Sequence, residues 1–406
     1  LDVYSRIKTV GAKQLLMLSF TDRHCLADIA RLVAFFEKRL KEKKTPQKMA
    51  FELPQKYIRA GHVNLPSFPQ EVLKDFYQKL GELNVSPDDN IYPLGSCTMK
   101  YNPYINDYLA GLSEFTQAHP KAPIEDVQGC LQILFETQEQ FKKITGLAGV
   151  TTQPVAGAQG ELVGLKMIQA YHLDRQEKNK ETRDIILIPK SAHGTNPASA
   201  AIAGFENIMT LTADGHGQID MAVLDDVLAK YGPRVAGIMV TNPNTSGIFE
   251  SNFHRVASKI HDVGGLVYMD GANMNAIAGI IDLSKLGVDA VHNNLHKTWS
   301  ISHGGGGPGD AIVAVSEKLL PYLPGHQVLL KDGIYQLSKT AKSIGSIHRH
   351  FGNFAHKIRC YSYIKALGDQ GVKKMSEVAV LSSAYLLQRL KKAFPILPAN
   401  TETVPR

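Results

Sequence analysis

The chain has 406 residues, 44% of them apolar and 20% charged, which is the composition of a globular protein with room for two or three domains. Its net charge of +7 comes without a basic stripe interleaved with aromatic residues, and no apolar run reaches the roughly eighteen residues of a membrane span, so neither nucleic-acid binding nor membrane insertion is expected. The first residues lack the apolar segment of a signal peptide and the four scattered cysteines include no CxxC pair, so we expect a reduced, intracellular setting.

Helical spacing of apolar residues dominates the first ninety residues. It covers residues 20–43 and again residues 66–84, where prolines mark the helix start. The basic, proline-containing segment 37–48 lies between them and is either a solvated helix end or a contact for an acidic partner protein. We therefore predict that residues 1–90 form a helical N-terminal arm and linker.

From about residue 150, short apolar runs rich in β-branched residues alternate with helical segments. Continuous apolar strands separated by helices indicate an α/β fold, with a mainly parallel sheet covered by helices on both faces. The runs predicted to be buried strands are residues 184–189, 235–241, 265–270, 289–293 and 310–316.

Polar side chains follow four of these strands at the point where each strand ends. Because the carboxyl ends of parallel strands meet at one edge of a sheet, and ligands bind at that edge, we expect these side chains to form a single site. They are His193 and Asn196 after the first strand, Asn242 and Asn244 after the second, Asp270 at the end of the third, and His296 and Lys297 after the fourth.

The stretch GAQGE, residues 157–161, places a glycine turn at the start of a helix. A helix N-terminus behind glycines offers free N–H groups and the positive end of the helix dipole, which together suit a phosphate. A phosphate cradle, a strand-end carboxylate and a strand-end lysine fit pyridoxal phosphate, which bonds to a lysine and pairs its pyridinium nitrogen with a carboxylate. Their conjunction in chain order predicts a pyridoxal phosphate site that contains Asp270 and Lys297.

The glycine run that follows Lys297 admits two other interpretations, and both fail. Gly304, Gly306 and Gly309 satisfy GxGxxG, but Pro308 interrupts the motif and a strand follows instead of a helix. The HGGGG segment of an esterase oxyanion loop requires a GxSxG nucleophile elbow, and the sequence has none. We interpret the run as a wall that lets the backbone approach a flat ligand closely.

Five sequence blocks resemble the glycine decarboxylase P-protein family of the glycine cleavage system: YPLGSCTMKYNP, GAQGE, SAHGTNPAS, DGANMNA, and NLHKTW with HGGGGPG. The likeness runs from about residue 65 to about residue 390, and is to the catalytic C-terminal half of the single-chain form, or to subunit 2 of the two-subunit form. It implies a fold-type-I pyridoxal-phosphate-dependent transferase fold. The large cofactor-binding domain would cover residues 91–320, and residues 321–406 would begin a small C-terminal domain that is incomplete in this chain.

The resemblance also implies roles for individual residues. Lys297 is similar to the Schiff-base lysine, Asp270 to the pyridinium partner and His193 to the residue that stacks on the cofactor ring. Lys297 and His296 are the candidates for proton transfer. The other implied positions are Gly157, Ala158 and Gln159 at the phosphate with help from Asn294 or His296, Asn242 or Asn244 near the 3-oxygen, and Tyr92, Ser96 and Thr98 in a loop that closes over the substrate.

The implied reaction decarboxylates glycine and transfers the aminomethyl group to the oxidised lipoyl arm of H-protein, which is an oxidoreductase reaction without a metal. The implied partners are glycine, lipoylated H-protein, and a homologous subunit 1, a homodimer or both. The expected location is the cytoplasm, or the mitochondrial matrix of a eukaryote. Two alternatives stay open: another fold-type-I enzyme acting on a small amino acid, and a non-catalytic partner subunit.

Two residues depart from the family's pattern. Trp299 stands where a phenylalanine is usual, and Asp310 stands where a small residue is expected. The second change places a charge beside the glycine run, so we expect altered packing there.

Overall fold

The computed structural model describes residues 4–19, 26–39, 53–85, 100–119, 122–179, 182–303, 309–348 and 350–396. The chain forms two compact units, Leu1–Lys79 and Leu80–Arg406. Within the described ranges, no helix is both long and apolar enough to cross a membrane.

The first unit begins with a β-hairpin. Strand β1 (Tyr4–Val10) pairs antiparallel with β2 (Lys13–Ser19), and Gly11 in the turn has a φ of 61°. The prediction of a wholly helical arm is therefore wrong for residues 4–19, because a two-residue turn with glycine at positive φ joins two β-prone runs. Helices α1 (Leu26–Glu37) and α2 (Gln70–Glu82) lie inside the two stretches predicted to be helical.

The second unit contains the remaining helices and strands. Its helices are α3 (Tyr104–Ala110), α4 (Ser113–Thr116), α5 (Gln128–Thr145), α6 (Gly157–Asn179), α7 (Thr195–Ala203), α8 (Met221–Tyr231), α9 (Phe253–Asp262) and α10 (Phe354–Leu390). Its strands are β3 (Gly149–Thr151), β4 (Ile185–Pro189), β5 (Asn207–Leu211), β6 (Val235–Thr241), β7 (Leu266–Asp270), β8 (Ala290–Asn294), β9 (Ala311–Val315), β10 (Gln327–Lys331) and β11 (Ile334–Ser338). Helix α10 is interrupted by a non-helical backbone at Gly368.

Seven of these strands form one sheet in the order β3-β9-β8-β7-β6-β4-β5. Strands β4 to β8 run parallel, whereas β9 runs antiparallel to both β8 and β3. All five predicted strands are confirmed, and the sheet is mainly parallel as expected. The sequence pattern missed β3, which is only three residues long, and β5, whose residues are partly exposed.

Alternate residues of the buried strands enter two separate apolar cores. In β4, Leu187 packs with Phe141 of α5 and Ile260 of α9 on one face of the sheet. Its neighbour Ile186 packs with Ile168 of α6 on the other face. This two-sided burial explains why the strands read as continuous apolar runs.

Helix α6 lies unusually close to strands β7 and β8 because glycines face the sheet. A Cβ at Gly160 would lie 2.9 Å from the Cβ of His292, and a Cβ at Gly164 would lie 2.2 Å from Cε2 of Tyr268. The ring of Tyr268 is fully buried, so it has no room to move away. These glycines bring the start of α6 to the carboxyl edge of the sheet.

We expect Gly164→Ala to lower the free energy of unfolding by about 1–3 kcal/mol, because the added methyl pushes α6 off Tyr268. Gly129→Ala in α5 is the matched control, since a Cβ there meets no atom within 4 Å and alanine favours a helix. Urea denaturation of the parent and both variants measures the effect. Equal stability of the two variants would contradict the close contact.

Candidate active site

Asp270 ends strand β7 and is 1% exposed. Its Oδ2 accepts a hydrogen bond from Asn196 Nδ2 at 3.1 Å, and its Oδ1 accepts one from the Ala272 N–H at 3.0 Å. Burial alone would raise the pKa of Asp270, but His292, these hydrogen bonds and Lys297 outweigh burial and hold the pKa below its usual value. The carboxylate is therefore ionised in a dry site.

His292 lies behind Asp270, directly opposite it in the parallel pairing of β7 and β8. Its Nε2 is 3.3 Å from Asp270 Oδ1, and its Nδ1 is 2.6 Å from the hydroxyl of Tyr268. Burial, followed by the charges of Glu161 and Asp270, raises the pKa of Tyr268. Tyr268 therefore keeps its proton, and its hydroxyl shares a hydrogen bond with His292 Nδ1 while His292 Nε2 faces Asp270 Oδ1.

His193 follows β4 and is half-buried beside the same network. Its backbone N–H donates to Thr241 Oγ1 at 3.2 Å, and the Thr241 hydroxyl donates to Asn196 Oδ1 at 3.1 Å. Because Asn196 also holds Asp270, one chain of hydrogen bonds fixes His193 relative to the carboxylate.

Lys297 follows β8, is 8% exposed, and donates its backbone N–H to the Asn294 carbonyl. Its charge acts on Asp270, so the lysine and the carboxylate lie near each other at this edge of the sheet. The preceding His296 is held at Nδ1, which is 3.1 Å from the Asp310 carbonyl oxygen. Burial, His303, Lys297 and Lys100 lower the pKa of His296 to about 4, even though its contact with the Asp310 carbonyl acts the other way.

The start of α6 reaches the same edge of the sheet. A Cβ at Gly157 would lie 2.4 Å from Asn294 Oδ1, so glycine is required for this close approach. Gln159 Oε1 accepts the Val155 N–H at 2.8 Å and closes the helix start, and Ala158 is exposed beside it. The structure thus brings Gly157, Ala158, Gln159 and Asn294 together, and Asn294 lies three residues before Lys297 along the chain.

The structure distinguishes the two asparagines that follow β6. Asn244 uses its side chain in a turn, where its Oδ1 accepts from Ser246 and Ile248 and its Nδ2 donates to Gly217. Asn242 is fully buried and donates its backbone N–H to the Asp270 carbonyl, at 3.3 Å. Within the described part of the chain, Asn242 Nδ2 has no hydrogen-bond partner, which makes Asn242 the better placed of the two for a ligand.

Several predicted positions lie outside the described residues. These are Tyr92, Ser96 and Thr98 of the substrate loop and residues 304–308 of the glycine run. The first described residue after the loop is Lys100, whose Nζ donates to the His296 carbonyl. At the other end of the glycine run, a Cβ at Gly309 would lie 2.3 Å from His296 Nδ1, so glycine is required there.

The two departures from the family's pattern are accommodated differently. Trp299 is fully buried, packs edge-on against Phe141 with ring centroids 4.9 Å apart, and donates Nε1–H to Asn293. Asp310 forms an ion pair with Lys357 of α10 at 2.8 Å, and both side chains are fully buried. Burial raises the pKa of Asp310 to about 7 in spite of Lys357. The charge that the sequence left unexplained therefore has a partner.

Four residues of the site were given no role from the sequence. Asn196 was expected at the strand edge without a stated role, and Glu161 lies inside a block that carries the family resemblance. His292 and Thr241 belong to buried strands, where their type alone was no guide. The parallel register that sets Thr241 and His292 on either side of Asp270 was the missing information.

The residues present fit pyridoxal phosphate. Asp270 supplies a buried anion for a ring nitrogen, and Lys297 supplies an amine at the same strand edge. In the described ranges, Asn242 Nδ2 and Asn294 Oδ1 are buried polar atoms without partners, which a bound polar molecule would satisfy. The glycine start of α6 offers the anion-binding end of a helix.

The chain is similar in sequence to two curated relatives, whereas no protein-family model matches it. The first is the probable glycine dehydrogenase (decarboxylating) subunit 2 of Chlorobium chlorochromatii (strain CaD3), 44% identical over 345 residues, covering 85% of this chain and 70% of the relative. The protein of the same name from Pyrococcus abyssi (strain GE5 / Orsay) is 46% identical over 343 residues, covering 84% and 67%.

Solved structures show the same fold. The crystal structure of glycine decarboxylase (P-protein) of the glycine cleavage system, in inhibitor-bound form, matches with a TM-score of 0.69 and 19% identity, covering 93% of this chain and 83% of that one. The glutamate decarboxylase of Lactobacillus brevis CGMCC 1306 matches with a TM-score of 0.57 and 13% identity, covering 84% and 77%. The fold is that of the fold-type-I pyridoxal phosphate enzymes, as predicted.

Proposed function

Because the chain belongs to the glycine dehydrogenase (decarboxylating) subunit 2 family, we propose that the site described above decarboxylates glycine within the glycine cleavage system. The activity is that of an aminomethyl-transferring glycine dehydrogenase, an oxidoreductase, and the cofactor is pyridoxal 5'-phosphate. The observation that carries the proposal is the buried, ionised Asp270 at one strand edge with Lys297.

Pyridoxal phosphate, when bound, supplies an electron sink for the electron pair that remains when a carboxylate group leaves as CO2. Lys297 would hold the cofactor covalently, and the start of α6 at Gly157, Ala158 and Gln159 would hold its phosphate. Asn294 is suited to assist at the phosphate because it adjoins Gly157. Asn242 is the proposed contact for the 3-oxygen.

Asp270 keeps a ring nitrogen protonated, because an ionised carboxylate favours the cationic form of its neighbour. The network behind Asp270 stabilises its ionised form. Asn196 and the Ala272 N–H donate hydrogen bonds to its oxygens, and His292 adds a third contact. His193, tied to this network through Thr241, is proposed to pack on the cofactor ring.

The proton transfers are assigned mainly to Lys297. A general acid or base works best when its pKa is close to the working pH, and the pKa of His296 is lowered to about 4. His296 also shares Nδ1 with the backbone of Asp310. We propose that His296 positions the loop around Lys297 and is a poor proton carrier at neutral pH.

The subunit 2 name of the relatives implies a companion subunit 1 and the other components of the glycine cleavage system. We further propose that glycine is the substrate and that the lipoylated arm of H-protein accepts the aminomethyl group. Tyr92, Ser96 and Thr98 are the proposed substrate loop, and Lys100 at its end contacts His296. Residues 91–320 are the proposed large domain, and residues 321–406 belong to a proposed small one.

Exchange of CO2 with the carboxyl group of glycine tests the proposed reaction. The full chain is assayed with subunit 1 and with or without lipoylated H-protein, and glycine is compared with a panel of small amino acids. We expect CO2 exchange with glycine and with no other amino acid of the panel, and we expect H-protein to stimulate this exchange. Faster turnover of another amino acid, indifferent to H-protein, would overturn the proposal.

Asp270→Asn is expected to keep visible absorbance from bound cofactor but to lower glycine–CO2 exchange by at least about a hundredfold, because a neutral amide no longer stabilises the ring cation. The control is Asp282→Asn, which changes a carboxylate whose side chain is 38% exposed and which bonds to Ser284. Unchanged exchange in Asp270→Asn would remove Asp270 from its assigned role.

A further inference from the structure

Glu161 is a buried carboxylate that the proposed function does not use. It lies in the first turns of α6 and is 3% exposed. Its Oε1 accepts the Thr195 hydroxyl at 2.7 Å, and its Oε2 accepts the Ser199 hydroxyl at 2.7 Å. In the part of the chain that the structure describes, no lysine or arginine pairs with it. Burying a carboxylate with hydroxyl partners alone costs free energy, so a task at the neighbouring site would account for its presence.

Thr195 connects this carboxylate to His193. The Thr195 Oγ1 lies 2.7 Å from His193 Nδ1 and 2.7 Å from Glu161 Oε1. A hydroxyl has a single proton to donate. The Thr195 hydroxyl donates its hydrogen bond to Glu161 Oε1, so the Thr195 oxygen accepts from His193 Nδ1. These donor and acceptor assignments place a proton on His193 Nδ1.

The competing arrangement is weaker in this geometry. The backbone N–H of Thr195 also points to His193 Nδ1, at 3.3 Å, and would require Nδ1 to be an acceptor. The contact between Thr195 Oγ1 and His193 Nδ1, at 2.7 Å, is much shorter than the 3.3 Å contact of the backbone N–H, so it constrains the ring more strongly. A carboxylate-linked bond is also the stronger kind. The two 2.7 Å contacts of Thr195 Oγ1, with His193 Nδ1 and Glu161 Oε1, therefore decide the tautomer of His193.

We propose that Glu161 is a positioning residue for His193. By accepting the hydrogen bond of the Thr195 hydroxyl, Glu161 fixes the imidazole of His193 in the form that carries its proton on Nδ1. The neutral ring then presents Nε2 as a hydrogen-bond acceptor. His193 Nε2 is thereby matched to a donor group, such as an ammonium or a hydroxyl, and mismatched to a carboxylate. This inference rests on the proposed function only in taking His193 as a neighbour of the cofactor.

The same relay fixes the ring in space. The His193 backbone N–H is held by Thr241, which also bonds to Asn196 and so to the Asp270 network. Glu161, Asp270 and His292 have donor or acceptor atoms within 4.8 Å of one another. The carboxylate that orients His193 therefore lies beside the carboxylate that serves the ring nitrogen.

The tautomer is measured by the 15N shifts of the ring nitrogens in the cofactor-free full chain, labelled with 15N-histidine. The His193 signal is identified among the fifteen histidines by its loss in His193→Asn. We expect the parent to carry the proton on Nδ1. Thr195→Val, which breaks the relay and keeps the side-chain shape, should populate the Nε2–H form. Glu161→Gln should give a mixture of forms, because an amide donates as well as accepts.

Ser199→Ala is the matched control. It removes the other hydrogen bond of Glu161 and leaves the Thr195 relay intact, so the Nδ1–H form should persist. An Nε2–H parent overturns the proposal, and so does an unchanged tautomer in Thr195→Val. If Thr195→Val does not fold, Glu161→Gln decides between the same outcomes. The measurement involves no cofactor and no substrate, so a failure of the proposed reaction leaves it unaffected.

In the loaded enzyme, Thr195→Val and Glu161→Gln are expected to lower kcat by about tenfold, as the loss of one charge-linked hydrogen bond would. Ser199→Ala should change kcat by less than about twofold and keep the Nδ1–H tautomer of His193. A purely structural role for Glu161 would lower stability in Glu161→Gln and leave the tautomer of His193 unchanged.

Discussion

Lys297→Ala is expected to lower glycine–CO2 exchange by at least about a thousandfold and to remove the visible absorbance of covalently held cofactor. The reason is chemical: alanine has no amine to bond to the cofactor or to carry a proton at the substrate carbon. Absorbance spectra and exchange rates of the purified variant give both readouts. Added methylamine should restore part of the exchange, because a free amine can enter the space that the lysine side chain leaves.

Lys285→Ala is the control for this experiment. Its side chain is 83% exposed and its nearest acidic partner, Asp282, is 3.6 Å away, so neither absorbance nor exchange should change. Retention of colour and exchange in Lys297→Ala would refute the assignment of this lysine. If Lys285→Ala also lost the absorbance and the exchange, the losses in Lys297→Ala would not be specific to the site.

Lys357→Met is expected to lower the free energy of unfolding by about 3–5 kcal/mol at about pH 8. Methionine fills a similar volume, but it leaves Asp310 buried without its cationic partner and removes the Lys357 hydrogen bond to the Ala311 carbonyl, which is 2.8 Å long. Urea denaturation of the parent and the variant at equal protein concentration measures the loss. Unchanged stability would show that the pair does not hold Asp310.

The loss should depend on pH in a definite direction. Burial raises the pKa of Asp310 from 3.8 to about 7 even with Lys357 present, so removing Lys357 raises it further. Between the unfolded and folded values, the folded chain retains a proton that the unfolded chain has released, and stability falls as pH rises. Lys357→Met should therefore be closer to the parent at about pH 5.5 than at about pH 8.

The double variant Asp310→Asn with Lys357→Met separates charge from packing. With both charges removed, most of the lost stability should return, and the added pH dependence should disappear. Asp310→Asn alone leaves Lys357 buried without its carboxylate and should be destabilised. Additive losses in the three variants would contradict a direct coupling between these two residues.

Much of the sheet was predictable because each buried strand is a continuous apolar run bounded by turn residues. The runs that became β4, β6, β7, β8 and β9 have the right lengths for buried strands, and both faces of each strand are covered. The N-terminal hairpin was missed, since helical spacing further along the arm was extended over residues that a turn at Gly11 commits to strands. Strand β3 is too short to leave a pattern.

The residues of the candidate site could be proposed from the sequence, but the residues that hold them in place could not. Asp270 and Lys297 are recognisable because each follows a strand, and parallel strand ends share an edge. The partner of Asp310 is Lys357, which belongs to a helix elsewhere in the chain and resembles any other lysine in the sequence. Contacts of this kind depend on register and helix placement, which a local pattern does not contain.

The pairing of β3 with β9 sets the order in which the enzyme can be assembled during synthesis. Thr151 of β3 pairs with Val313 of β9, so β3 leaves the ribosome about 160 residues before the strand with which it pairs. Such long-range pairing slows folding and leaves apolar strands uncovered in the meantime. The strand that completes the sheet also follows Lys297, so a nascent chain acquires its binding edge late. A cell that makes this protein would benefit from chaperone cover until β9 has emerged.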